Sequence, residues 1–292
     1  MSDRGRAGLR ERVGRALGRE ARSLSPLSGG CVGEVYRVRM ANGPDVVAKV
    51  DESGAGTLAI EGRMLRDLAR LSALPVPEVY ASEPDLLVME LLPGETGASG
   101  RAEEHAADLL AALHDVTPSR DEGFGYDYDT LIGGLPQPNP WSSSWIPFFR
   151  DQRLCSLADE ALAAGRLPAR LRARIDDLAA RLEELLEEPL RPSLIHGDVW
   201  SGNVLSDGAR VTGFVDPALY YAHPEVELAF ITLFHTFGDA FFRRYQEHRE
   251  LRPGFFEERR HLYNLYPLLV HVRLFGGGYT AQVEGVLSRF GA

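Results

Sequence analysis

Lysine is nearly missing from this chain of 292 residues: Lys49 stands alone beside 31 arginines. A compositional drift toward arginine accounts for the arginines but not for the lysine that persists. Lys49 therefore reads either as a chance survivor on a surface strand or as a compact point charge in a site where a planar guanidinium would not fit. Cysteine is also scarce. Cys31 and Cys155 are too few for a disulfide framework and are free thiols by default. There is no long apolar run: residues 262–275 are interrupted by Asn264, His271 and Arg273 and cannot span a bilayer. Residues 1–22 mix arginine with glutamate and lack an apolar core, so they read as an amphipathic helix rather than a signal peptide. Basic charge is in deficit, with a net charge of −10. That argues against nucleic acid and anionic membrane as partners, and a cytoplasmic location is expected.

What is present fits a folded globular chain. Apolar residues make up 44% and charged residues 25%, while 30 glycines and 18 prolines stay far below a low-complexity regime. The length suits two packed lobes or one large domain. A glycine-rich bend, SGGCVGE, leads into a hairpin whose strands cover residues 35–40 and 46–50 around an Asn42-Gly43 turn, with Lys49 on the second. Residues 57–71 have helical periodicity, with Glu61 on the same stripe as Leu65 and Leu68. A carboxylate on an apolar face needs a partner, and Lys49 is the natural candidate. Two short strands follow, near residues 78–81 and 85–91, before Pro93-Gly94, where we place the lobe boundary. A helix over residues 102–116 precedes an irregular stretch, 119–147, whose aromatics argue for order. Residues 147–164, 168–188 and most of the chain from 224 onward read as helices, and no internal repeat is evident.

The chemistry is concentrated in HGDVWSGNVL and in the VTGFVDPALYYAHPEVELA that follows it. Asp198, Asn203 and Asp216 form an H-x-D-x4-N…D series. It is the arrangement that phosphoryl transfer on the protein-kinase plan requires: an Asp facing the acceptor hydroxyl, with an Asn and a second Asp holding magnesium. Taken singly, each residue also fits a turn or a cap. Taken with the glycine-rich hairpin, the single strand lysine and the helix-face glutamate, in this order, they point to a kinase. His196 reads as structural. Glu225 and Glu227, at the start of a helix, are expected to be solvated or capping.

These motifs resemble the fructosamine kinase (ketosamine-3-kinase) family, within the aminoglycoside phosphotransferase-like branch of the protein kinase superfamily. The resemblance runs nearly end to end. It is carried by SGGCVGEVYRV, by GGLPQPNPWSSSWIPFFRDQRL, by HGDVWSGNVL and by VDPALYYAHPEVELA. It implies an α+β, bilobal protein kinase-like fold: a small N-terminal β-sheet lobe with one helix pair over residues 1–92, and a larger, mainly helical lobe over 93–292. It implies ATP-dependent phosphorylation, with Mg2+, of the 3-hydroxyl of a small-molecule or protein-bound ketosamine, after which the adduct breaks down and the amine is freed. Asp198 then resembles the catalytic base, Asn203 and Asp216 the magnesium ligands, Lys49 the phosphate contact and Glu61 its orienting partner. Glu90, Leu91 and Leu92 resemble the adenine-binding hinge. Gly29, Gly30 and Gly33 depart from the protein-kinase G-x-G-x-x-G form but fit this family's own loop.

Four residues carry open readings. Cys31, in the phosphate-covering loop, is either a small buried residue or, as the resemblance suggests, a redox-sensitive thiol forming an intermolecular disulfide. Trp200 is expected to flank the acceptor. Trp141 and Trp145 either wall the acceptor site or form a small core under their loop. Rival functions are a phosphotransferase of the same plan acting on an aminoglycoside, choline or homoserine, and a nucleotide-binding pseudokinase regulator. The expected assembly is a monomer or weak homodimer.

Overall fold

The computed structural model describes residues 3–27, 33–119 and 123–292. Helix α1 (Asp3–Leu17) ends at Gly18, whose φ of 62° lets the chain turn out of the helix. The strands β1 (Ala21–Pro26), β2 (Glu34–Met40) and β3 (Val46–Val50), helix α2 (Leu58–Leu71), and strands β4 (Val79–Glu83) and β5 (Leu86–Glu90) follow. The strands form an antiparallel sheet in the order β1-β2-β3-β5-β4. β3 lies at its centre, and all five of its residues are buried.

Strand alternation divides β3 between two small cores. Val46, Ala48 and Val50 pack with Tyr36, Val38, Leu86 and Val88 against Leu9 and Val13 of α1. Val47 packs on the opposite face with Leu87 and Met89 against Leu58 and Leu65 of α2. Lys49 shares the parity of Val47, so the alternation that builds the sheet also turns this lysine toward α2.

The chain leaves the sheet through residues 91–94, and the short strand β6 (Glu95–Thr96) already pairs in another sheet, with β10 (Val204–Ser206). Helix α3 (Arg101–His114) follows. The stretch read as irregular contains an ordered hairpin, β7 (Thr130–Ile132) and β8 (Leu135–Gln137). Gly133 and Gly134 form its two-residue turn with φ of 54° and 80°, the doubly positive geometry such hairpins need. The helix expected over 147–164 runs from Trp145 to Ala163 and contains a π-helical stretch, Phe149–Cys155. The one expected over 168–188 breaks after Ala179 and resumes as Leu182–Leu185. Strands β9 (Ser193–Ile195), β11 (Val211–Phe214) and β12 (Tyr220–Ala222) frame the HGD segment, and helices Glu225–Leu233, Leu265–Phe275 and Gly278–Arg289 close the structure. One continuous core joins these later elements. The arrangement is the expected α+β one. Among the described residues no helix is long and apolar enough to cross a membrane.

Candidate active site

Lys49 meets its carboxylates where the two parts of the fold face each other. Its ammonium lies 2.8 Å from Glu61 Oε2 of α2 and 3.1 Å from Asp216 Oδ1, and its side chain is 3% exposed. Burial opposes the ammonium charge, but Glu61 and Asp216 outweigh it and hold its pKa above the ordinary value. Burial pushes Glu61 up to about 7 against the pull of Lys49. For Asp216 the balance reverses: Lys49 overcomes burial and holds the carboxylate below its ordinary range. Asp216 is thus the firmly ionised partner, and Glu61 the one closer to taking up a proton.

Asn203 and Asp216 stand together because they occupy the open end of one hairpin. Val204 of β10 is registered with Phe214 of β11, so the residues flanking that pair become neighbours, and the Val215 N–H donates to the Asn203 carbonyl at 3.0 Å. Asp216 holds a φ of 53°, a left-handed conformation uncommon outside glycine and costing of order 1–3 kcal/mol. Asn203 Nδ2 donates to Asp198 Oδ2 at 2.9 Å and to the Asp198 carbonyl at 3.0 Å, closing the loop between the two residues. Burial, and then Asp216, push the Asp198 carboxyl up to about 8. Lys49, Glu61, Asp198, Asn203 and Asp216 line one polar cleft of about 40 Å3.

Two larger cavities adjoin this cleft. One of about 620 Å3 is lined by Val35, Val47, Glu90, Leu91 and Leu92 from the sheet side and by Asn203, Leu205 and Asp216 opposite. Lys49 is common to it and the polar cleft. Gly33 lies at the start of β2 with a φ of 77°, where a Cβ would fall 2.4 Å from the Val50 carbonyl oxygen, so only glycine fits. Gly29, Gly30 and Cys31 lie outside the described residues. On the other side of Asp198 a largely apolar cavity of about 250 Å3 opens among the late helices, and Trp200 borders both it and the polar cleft.

Trp145 lines neither the polar cleft nor the apolar cavity beside Asp198. It is fully buried, stacked on Phe149 with ring centroids 5.4 Å apart, and its Nε1 donates to the Tyr263 hydroxyl at 3.3 Å. Trp141 stacks on Tyr221 and packs against the same core, and it too lines neither space. Neither helix-opening glutamate is solvated. Glu225 is 4% exposed and accepts two hydrogen bonds from Arg259, at 2.6 and 2.7 Å.

Glu227, expected to be solvated or capping, is 1% exposed and has another role. Its Oε1 accepts the Gly197 N–H at 2.6 Å, and its Oε2 lies 2.8 Å from His114 Nε2, whose Nδ1 is 2.7 Å from the Tyr245 hydroxyl. This buried chain of hydrogen bonds fixes the backbone immediately before Asp198. Gly197 itself holds a φ of 87°, with the Ala218 carbonyl 2.2 Å from where a Cβ would stand. His196 is buried and accepts the Asp198 N–H through Nδ1 at 3.3 Å, a structural position.

The profile of the fructosamine kinase family matches residues 8–291. The chain belongs to the fructosamine kinase family. Its relatives include a protein-ribulosamine 3-kinase of the rice chloroplast (Oryza sativa subsp. indica), 30% identical over 91% of this chain and 78% of the relative. A protein named probable ketoamine kinase slr1563, from Synechocystis, is 41% identical over 62% of this chain and 59% of its own length. Among solved structures, a Thermobifida fusca chain assigned as a fructosamine-3-kinase superposes with a TM-score of 0.85 at 31% identity, covering 97% of this chain and 99% of that one. Aminoglycoside phosphotransferase APH(4)-Ia, at 18% identity and a TM-score of 0.67, shares the fold. This fructosamine kinase family member therefore has a kinase-like phosphotransferase architecture, and the motif residues Lys49, Glu61, Asp198, Asn203 and Asp216 converge within it on one cleft.

Proposed function

We propose that the chain transfers the γ-phosphoryl group of ATP to the 3-hydroxyl of a ketosamine, as a deglycation kinase. The observation that carries this reading is the convergence of Lys49, Asp198, Asn203 and Asp216 on one small cleft between a large cavity against the sheet and a second cavity among the late helices. The nucleotide takes the larger cavity, with Glu90, Leu91 and Leu92 as the hinge against the base, Gly33 on the phosphate side, and Lys49 as the α/β-phosphate contact steadied by Glu61. Asp198 accepts the proton of the acceptor hydroxyl as the new O–P bond forms and ADP leaves. The Asn203 amide, donating to Asp198 Oδ2 at 2.9 Å, holds that carboxyl in place. Trp200, beside Asp198, flanks the sugar.

The Asn203 amide oxygen and the Asp216 carboxylate are hard oxygen donors of the kind that hold magnesium together with substrate phosphates. When bound there, the ion would neutralise phosphate charge. The test is ATP consumption by the purified protein with magnesium against ribulosamine, fructosamine, kanamycin, choline and no acceptor, with Asp198→Ala alongside. Turnover with a ketosamine, lost in the variant, supports the proposal. Turnover only with kanamycin or choline moves the acceptor class, and nucleotide binding without turnover on any acceptor removes the kinase reading.

A further inference from the structure

Asp198 stands between two spaces of opposite character. The cleft shared with Lys49, Asn203 and Asp216 is polar. Among the described residues, the cavity of about 250 Å3 on its other side shares no lining residue with the nucleotide cavity, and Asp198 is its only carboxylate. No described lysine, arginine or glutamate lines it. Its far walls are Phe230 and Phe234, one helical turn apart, Val270 and Leu274 from the facing helix, and Phe275 and Tyr279. His271, at the same end, donates its Nδ1 proton to the Pro267 carbonyl at 2.7 Å, and burial holds its pKa below the ordinary value, which disfavours a charge there. At roughly 30 Å3 for a water-sized group, the cavity holds about eight such groups.

A ketosamine has two halves, a hydroxylated sugar chain and the substituent on its nitrogen. With the acceptor hydroxyl at Asp198 and the nucleotide on the polar side, the cavity continuous with Asp198 is the space left for the second half. An ammonium held against these apolar walls would find no counter-charge among the described lining residues, which is costly where they exclude water, whereas each methylene buried there strengthens binding by about fourfold. We infer that this cavity holds the amine-borne half of the substrate and selects ketosamines whose nitrogen carries an uncharged alkyl or aryl group over those carrying a second cation. The inference rests on the ketosamine reading above.

The test uses two ribulose adducts, of pentylamine and of 1,5-diaminopentane. They share sugar, linking nitrogen and chain length and differ in one terminal ammonium, so everything common to them cancels. The wild type is expected to favour the pentylamine adduct by at least tenfold in kcat/KM, chiefly through KM. Phe275→Asp, at a position 54% exposed and so tolerant of charge, is expected to bring the ratio within about threefold, as is Leu274→Asp deeper in the wall. Equal kcat/KM for the two adducts, a preference for the diamine through the aromatic faces, or a ratio unmoved by both variants overturns the inference while leaving the kinase reading standing. Turnover of neither adduct, with turnover of kanamycin or choline, overturns the ketosamine reading and this inference with it.

Discussion

Replacing Lys49 with methionine keeps an unbranched side chain one atom shorter and removes its charge, so the variant largely separates the ion pairs from packing. Glu61 and Asp216 then face each other with no cation between them, and the Glu61 side chain is only 9% exposed. Breaking a buried pair by removing one partner costs about 3–5 kcal/mol, which for a chain of this size lowers Tm by roughly 6–20 °C. Lys49→Met/Glu61→Leu separates stability from function. An ion pair replaced by apolar groups of similar volume is often neutral, and the Asp216 side chain, 23% exposed, can turn to water. The double variant is expected to recover most of the lost stability by urea unfolding without nucleotide, while ATP turnover stays at least 10²-fold down. Lys49→Arg keeps the charge but forces a longer, forked group into a strand where every residue is buried. Overpacking of about 1–3 kcal/mol and a turnover loss of at least tenfold are expected, because the fork cannot replace a point contact. A loss under about 1 kcal/mol in Lys49→Met, or full turnover in Lys49→Arg or in the double variant, would refute the reasoning.

Trp200→Ala should raise the KM for the sugar acceptor several-fold while the KM for ATP stays within about twofold; equal effects on both would place the ring's role outside the acceptor side. Glu227→Ala strands the Gly197 N–H and a ring nitrogen of His114 inside the protein, at about 1–3 kcal/mol each. Glu227→Gln keeps one acceptor and should lower kcat with little change in either KM, and an unchanged kcat would reduce the residue to a packing role. His223 supplies the pH test. Burial, then Arg259, Arg252 and Arg249, depress its pKa from 6.5 to about 3, so between those values the unfolded chain binds a proton that the folded one does not. Stability present above pH 6.5 is therefore lost as pH falls. From pH 7 to 5 this group contributes a loss of roughly 1–2 kcal/mol, the lower figure allowing for its partial solvent contact. His223→Asn should flatten the unfolding free energy against pH by that amount, and identical slopes would contradict the assignment.

The meeting of Lys49 with Glu61 was legible because two periodicities point the same way. Strand alternation puts Lys49 with Val47 on the α2 side, and the helical stripe puts Glu61 with Leu65 on the side facing the sheet. The adjacency of Asn203 and Asp216 was legible as spacing, since a short hairpin between them returns the chain to its start. Trp145 was harder. An aromatic in a Gly- and Pro-rich stretch can stack on a ligand or close a core, and burying 150–250 Å2 of ring surface favours the core wherever neighbours such as Phe149 and Tyr263 supply it. Phe149 lies one helical turn on and is legible locally, but Tyr263 lies 118 positions downstream, and no local pattern reports it.

Glu227 could have been found by the reasoning that found Glu61. It sits in EVELAFITL, a helix buried nearly all round, where a carboxylate between Val226 and Leu228 has no solvated face and must find a partner. What the sequence could not supply is the partner's identity, because His114 closes a different helix 113 residues earlier. The PQPN segment makes a related point about motifs. Gln137 accepts the Tyr266 hydroxyl and donates to the Ala218 carbonyl. Asn139 and Pro138 take hydrogen bonds from the buried Arg153, which the π-helical stretch carries inward over the Tyr220 ring. Tyr220 and Tyr266 wall the apolar cavity, whereas Gln137 and Asn139 stand behind them. On the proposed reading the PQPN segment shapes the acceptor side from behind its walls, and a substitution there should alter acceptor KM through the position of two tyrosines rather than through a lost contact.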